Sequence, residues 1–482
     1  MINPVVASCC ARLATYPNLT VSLPSTPGYT SVQNSFWSLQ EASLTPTCII
    51  SPTTSVLAAK AIQILVSDTA CTNVDFALKG QGHAPAAGFG NIDSTGVTID
   101  LTPLNSVTLS HDRTVAHIGA GASWLQAYAA LDPYNVTVAG GRNGAVGVAG
   151  LTLGGGISYF SPLVGFTCDT AVEFEVVLAN GVLTHANRRN HPELFRALKG
   201  GMNNFGVVTR ISLRTIPYSG ILAGGLAYEI DQRGRVFQAF ANIAGAAEYD
   251  NHASIVTGVT FNSTAKSWAL SNTPVYTKPD RKPKVYEELF RIPTQLNTLH
   301  ITNMSTYANE TPTPPLNWLF YTATFGVSAE LLNTIFDTIN QTLYDFTLPN
   351  GLLWNLAFEP LPTTFVDRGA GHNSLGTSAI DGNSVILLIS ALWPAENSTN
   401  EKSEAQMAVH AHAQVLVSKI NQAARHAGLA RDFLYANYAD ASQNPLGGYG
   451  QGNLMRLDMA AEAYDPHGVF RKRVPGGFKL KP

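Results

Sequence analysis

Three glycine clusters in the first 210 residues are the part of this sequence best suited to chemistry. They are Lys79-Gly-Gln-Gly-His83-Ala, the run carrying Gly140, Gly141, Gly144, Gly147, Gly150, Gly154, Gly155 and Gly156, and Lys199-Gly-Gly-Met-Asn-Asn-Phe-Gly206. Glycine lets a backbone approach a ligand closely and expose its N–H groups, which suits a diphosphate. None of the clusters fits G-x-G-x-x-G between strand and helix with an acidic residue about 20 positions on. No G-x-x-x-x-G-K-[ST] exists either, so a nicotinamide Rossmann site and a P-loop are both disfavoured. Tight turns in a β-rich fold explain one cluster as readily, but three interleaved with strands favour a ligand. No cysteine or histidine pattern has zinc spacing, and no metal is expected.

The elements around these clusters read as follows. Cys48-Ile49-Ile50 predicts a short strand, and Ser-Pro-Thr-Thr caps a helix running through Ser67. Strands are predicted at 75–79, 97–100, 115–118, 172–178 and 207–213, and helices at 124–131 and 192–198. Ala179-Asn180-Gly181 reads as a hairpin turn. After Pro217 the glycine density falls, and 218–432 mixes strands such as 384–390 with helices at 329–343 and 403–426. The last fifty residues change character again, with a Gly-Gly-Tyr-Gly loop and a helix over 453–464. Two domains are expected, 1–217 plus 433–482 and 218–432, the tail returning to the first.

Composition narrows the class. The chain has 482 residues, of which 13% are charged, where about 25% is typical. A net charge of -3 removes the electrostatic basis for nucleic-acid binding. No run is long and apolar enough to predict a membrane span. Residues 1–12 show no basic-then-apolar leader, yet Asn-x-Ser/Thr acceptors occur at Asn18, Asn135, Asn262, Asn303, Asn309, Asn340 and Asn397. Low charge and sequons together favour a secreted, glycosylated protein whose signal has been replaced by Met1. Cys9, Cys10, Cys48 and Cys71 crowd into the first 71 residues, which suits disulfides tying down an N-terminal arm, and Cys168 leaves an odd count.

The motifs, in order, carry a resemblance. They are Pro52 with its capped helix, Lys79-Gly-Gln-Gly-His83, Val146-Gly-Val-Ala-Gly150, Gly154-Gly-Gly156, Gly165-Phe-Thr-Cys-Asp169 and Lys199 through Gly206-Val-Val-Thr. This series resembles the FAD domain of the vanillyl-alcohol-oxidase superfamily. The tail, with Tyr435-Ala-Asn-Tyr438-Ala-Asp and Tyr449-Gly-x-x-Asn453-Leu-Met-Arg-Leu457, resembles the berberine-bridge-enzyme-like branch. The resemblance implies an α+β, two-domain FAD-binding fold with a second α/β substrate domain on an antiparallel sheet. It implies FAD held by Lys79, Gly80, Gln81, Gly82, His83, Ala84, Gly141, Gly147, Gly150, Gly154, Gly155, Gly156, Asp169, Gly206, Val208, Tyr449 and Asn453.

His83 stands where the family's histidine bonds the flavin 8α carbon. Many relatives have a second link through a cysteine where this chain has Asn143, so a single covalent link is expected. Val146 matches the valine that leaves room for dioxygen, which favours an oxidase, and Tyr438 matches a catalytic base. A phenol needs a positive or hydrogen-bonded setting to accept a proton near neutral pH. The strand 385–393 carries no acid; Glu359 and Asp367 are weaker candidates from the preceding segment. Glu359, Trp393 and Gln443 are expected near substrate, and Asn437 near substrate or the flavin pyrimidine. The apolar strand, with Trp393, Phe358 and Phe365 near it in sequence, suggests a phenolic or secondary-metabolite alcohol. The expected reaction is hydride transfer to flavin N5, with dioxygen reduced to hydrogen peroxide by a monomeric enzyme. An oligosaccharide oxidase and a flavin-containing cyclase without net redox turnover are the alternatives.

Overall fold

A computed structural model describes residues 3–309, 315–346, 350–377, 382–396 and 399–481. The expected elements appear with boundaries within a few residues. They include strands Cys48–Ser51, Asp75–Lys79, Gly96–Asp100, Val115–Gly119, Ala171–Val177 and Val207–Arg214, and helices Ser55–Ser67, Trp124–Leu131 and Pro192–Ala197. Thr54 caps the first of these helices by accepting from the Leu57 amide, which satisfies one orphan donor.

The N-terminal part carries two small sheets. In the first, Cys48–Ser51, Gly96–Asp100 and Asp75–Lys79 run parallel, with Thr20–Ser22 antiparallel at the edge. The second is antiparallel, in the order Val107–Leu109, Val115–Gly119, Val207–Arg214, Ala171–Val177 and Leu183–Asn187. Helix Pro4–Ala14 is stapled beside the first sheet by two disulfides, Cys9–Cys71 and Cys10–Cys48, while Cys168 is free and buried.

The middle of the chain builds a large antiparallel sheet. Its central strands, in spatial order, are Ser267–Tyr276, Ala253–Asn262, Leu353–Leu361, Ser384–Trp393 and Asn317–Gly326. Burial along Ala253–Asn262 alternates strictly, the period-two signature of a sheet with one covered face. Helices Arg233–Ala244, Ala329–Leu343 and Thr399–His426 cover that face. Leu319, Tyr321, Phe325, Trp354, Leu356, Phe358, Leu387, Ile389 and Trp393 join them in one core. The residues of opposite parity, Phe320, Glu359 and Leu388 among them, look the other way, toward the N-terminal part.

The last fifty residues return to the N-terminal sheets. The Arg473 guanidinium donates to the carbonyls of Leu65, Cys71 and Val74, and the Phe76 amide donates to the Arg473 carbonyl. Asn204 bonds Phe478 and Leu480, while Asn203 bonds Gly476. Asp465, fully buried, accepts the amides of Val469 and Phe470 and so caps the short helix Val469–Lys472. Among the described residues no helix is long and apolar enough to cross a membrane. The sequon at Asn397 lies outside the described residues.

Replacing Arg473 by Ala leaves three carbonyls without their charged donor. Urea denaturation of Arg473→Ala is expected to show a loss of about 2 kcal/mol; an unchanged midpoint would show that other contacts hold the tail.

Candidate active site

One cavity of ≈ 390 Å³ lies between the glycine clusters, the inward face of the large sheet and the returning tail. Its lining includes Lys79, Gly80, Gln81, Gly82, His83, Ala84, Val146, Gly147, Gly150, Gly206 and Val208, and it brings Tyr438 and Asn437 together with them. Among the described residues, the amides of Gln81, Gly82, His83 and Ala84 find no acceptor in the protein, as expected of a turn that exposes its N–H groups to a ligand. Gly82 has φ +67, and a Cβ there would meet the Phe36 ring at 2.8 Å. At Gly150 a Cβ would meet nothing within 4 Å, so a larger residue there would project into open space. A flat ring system carrying a diphosphate fits this lining.

At one end of the cavity three polar side chains meet. The Tyr438 hydroxyl donates to Glu359 Oε1 at 2.9 Å, and Arg142 Nη2 donates to the same oxygen at 2.9 Å and to the Tyr438 oxygen. Glu359 is 4% exposed, and its Oε2 is buried without a partner. Burial works against the charged form of Arg142, but Glu359 and Tyr438 outweigh it and hold the guanidinium firmly protonated. Burial pushes the Tyr438 phenol well above its ordinary value, and the Arg142 charge opposes that push. Asn437 fixes the turn beneath, donating to the Leu151 carbonyl and to the Tyr435 hydroxyl. Gly154 is required there, because a Cβ would lie 2.0 Å from Asn437 Oδ1.

His83 stacks on Trp37, with ring centroids 4.2 Å apart. Burial lowers its pKa to about 4, so the imidazole is neutral at physiological pH. Lys79 is buried and paired with Asp100 at 3.3 Å.

Several expected residues stand elsewhere. Trp393 has the outward parity of its strand and packs in the helix-covered core, with its indole N–H on Glu396. Phe358 shares that parity; Phe365 packs 4.5 Å from Phe166. Gln443 is occupied by both backbone groups of Thr322 and by the Asp440 amide. Asp367 is exposed at the end of a short helix. Asp169 accepts from Phe166 and Asn373, Tyr449 donates to the Gly200 carbonyl, and Asn453 joins Arg196 to the Tyr449 carbonyl. None of these three lines the cavity. Gly141, Gly155 and Gly156 lie behind its wall, where a Cβ would press on Trp124, Leu375 and Thr167 respectively.

The acid missing from 385–393 is supplied by its neighbour. Leu353–Leu361 pairs with that strand, Glu359 opposite Ile386, and the parity of Glu359 turns it inward. Arg142, Phe320 and Leu388 were not legible as cavity residues. For Arg142 the available signal was a lone charge inside a glycine cluster of a charge-poor chain.

Comparison with known proteins agrees with this geometry. The FAD binding domain family matches residues 46–187. The FAD-dependent monooxygenase drtC of Aspergillus calidoustus is 32% identical over 94% of this chain and 86% of its own length. The FAD-dependent monooxygenase tpcD of Cochliobolus heterostrophus is 32% identical over 95% of this chain and 89% of its own. Among solved structures, glucooligosaccharide oxidase from Acremonium strictum superposes with a TM-score of 0.77 at 21% identity, covering 100% of this chain and 99% of that one. 6-Hydroxy-D-nicotine oxidase from Arthrobacter nicotinovorans gives 0.78 at 17% identity over 96% and 98%. The chain belongs to the family of these FAD-dependent relatives, is an FAD-dependent oxidoreductase, and has the fold of the vanillyl-alcohol-oxidase-type FAD enzymes.

Proposed function

We propose that this protein oxidises a small, largely apolar alcohol or phenolic secondary metabolite, with dioxygen as the final acceptor. The observation that carries the reading is the three-way contact of Tyr438, Glu359 and Arg142 at one end of the cavity. When bound, FAD supplies a two-electron acceptor for a hydride leaving a substrate carbon. Tyr438 takes the substrate hydroxyl proton as its own proton passes to Glu359 Oε1, so no isolated phenolate is needed in a buried site. Arg142 stays charged and holds both oxygens in place, compensating the carboxylate that would otherwise be buried alone. Phe320, Leu388, Ile157 and Leu151 give the cavity apolar walls, which favours an aromatic or aliphatic body over a long sugar.

His83, neutral and with no hydrogen-bond partner, carries the single covalent link to the flavin, Asn143 replacing the second. Val146 on the cavity wall leaves space for dioxygen. The N-terminal part with residues 433–482 serves as the cofactor domain and 218–432 as the substrate domain. Two disulfides and exposed sequon asparagines at Asn18, Asn135, Asn303 and Asn309 support a secreted glycoprotein. A second reading, insertion of one oxygen atom into the substrate, is favoured by the names of the relatives at 32% identity.

Three outcomes are expected. Tyr438→Phe slows anaerobic flavin reduction by about 100-fold or more, and Glu359→Gln slows it in the same step; unchanged reduction in both would remove the pair from the reaction. With isotopically labelled dioxygen, the label is recovered in hydrogen peroxide; label in the organic product would establish the monooxygenase reading instead. Acid-precipitated wild type keeps its yellow colour and His83→Ala loses it, whereas flavin released from the wild type would refute covalent attachment.

A further inference from the structure

A histidine's ring orientation is usually set by a hydrogen bond on one of its nitrogens. Among the described residues His83 has no such bond. Its ring lies flat on Trp37, 4.2 Å between centroids and 17° between planes. Trp318 stacks on Trp37 as well, at 4.1 Å and 23°. His83 and Trp318 form no ring contact with each other, so they occupy opposite faces of the Trp37 indole. The sandwich is anchored at both ends. The Trp37 amide donates to the Gly82 carbonyl, in the same turn as His83. On the far side Gln40 exchanges two hydrogen bonds with the Trp318 backbone, and the Leu39 amide donates to Leu316. Trp37 and Trp318 do not line the cavity; they stand behind His83.

We propose that Trp37 is a positioning residue for flavin attachment, clamping the His83 imidazole face-on so that a free ring nitrogen is presented to the cofactor's 8α carbon. The inference rests on the reading of His83 as the linked residue. In the linking step the 8α carbon–nitrogen bond forms while one 8α C–H bond and the imidazole N–H bond break. The two protons and the electron pair reduce the flavin ring, and dioxygen then removes them as hydrogen peroxide. Nothing else is released. The nucleophile is the neutral imidazole; the stack fixes its ring plane, and Trp37 covers one face of a ring whose burial lowers the His83 pKa. Of the titratable side chains on the adjoining elements, Lys79 is paired with Asp100 and Arg142 with Glu359, while Glu41, four residues after Trp37, accepts the Gly88 and Gly90 amides and is pushed up by burial to about 7.

The test follows attachment itself. Full-length protein prepared without flavin is mixed with FAD in air, and acid-stable flavin is measured against time together with FAD affinity and melting temperature. Trp37→Ala and Trp37→Leu, the latter keeping apolar bulk without a flat ring, are expected to attach about tenfold more slowly. Trp37→Phe is expected to restore most of the rate, with FAD affinity similar in all four proteins. Opening the site in Trp37→Ala also returns the His83 pKa toward about 6.5, so between pH 7.5 and 5.5 its attachment rate falls relative to that of the wild type, in which Glu41 titrates equally. Attachment by Trp37→Leu at the rate of Trp37→Phe, or an unshifted pH profile in Trp37→Ala, would overturn the inference while leaving His83 as the linked residue. Wild type that never forms acid-stable flavin would overturn both.

Discussion

A carboxylate buried without its counter-charge is one of the most expensive things a protein can hold, and the architecture of this enzyme is arranged so that Glu359 is never in that position. Its partners come from two distant places in the chain, Arg142 from a glycine cluster and Tyr438 from the tail. The site is complete only when the large sheet, the glycine-rich segment and the tail are in register together. Asn437 and Gly154 illustrate the tolerance: the amide that fixes the Tyr438 turn packs where even a methyl group would collide.

Strand parity decides what the rest of the cavity sees. Along Ser384–Trp393 every second side chain belongs to the helix-covered core, and a shift of one residue would exchange the two sets. Phe320, Glu359 and Leu388 face inward because they sit at the right count from their neighbours. An apolar strand can therefore build an apolar core without contributing most of its side chains to substrate.

Much of this was readable from the sequence, and the failures have physical reasons. The glycine clusters, the turn ending at His83 and the place of Tyr438 on the cavity wall depend on local backbone requirements and on ordered motifs, which a linear sequence displays. The apolar strand 385–393 points to Trp393 as a substrate contact, but both faces of that strand are largely apolar and give no alternation to read. Gln443, Asp169 and Asn453 are polar residues in conspicuous motifs whose hydrogen bonds turn out to hold loops together. The role of Glu359 depends on which strand lies beside which, and the Arg142 contact spans 217 residues of sequence. Neither is a local property.

The returning tail also bears on how the enzyme is made. Arg473 completes hydrogen bonds to carbonyls near residue 70, and Gly477 lines the cavity. At the usual pace of synthesis, roughly 5–20 residues per second, those carbonyls wait about 20 to 80 s after leaving the ribosome before their partner is made. For most of that interval the N-terminal sheets lack one wall and Tyr438 is absent. The two disulfides, which close entirely within the first 71 residues, are the only covalent constraints in the described chain and can form during the wait. The lining of the cavity is accordingly complete only in the finished polypeptide, and until then the cysteines constrain the first 71 residues alone.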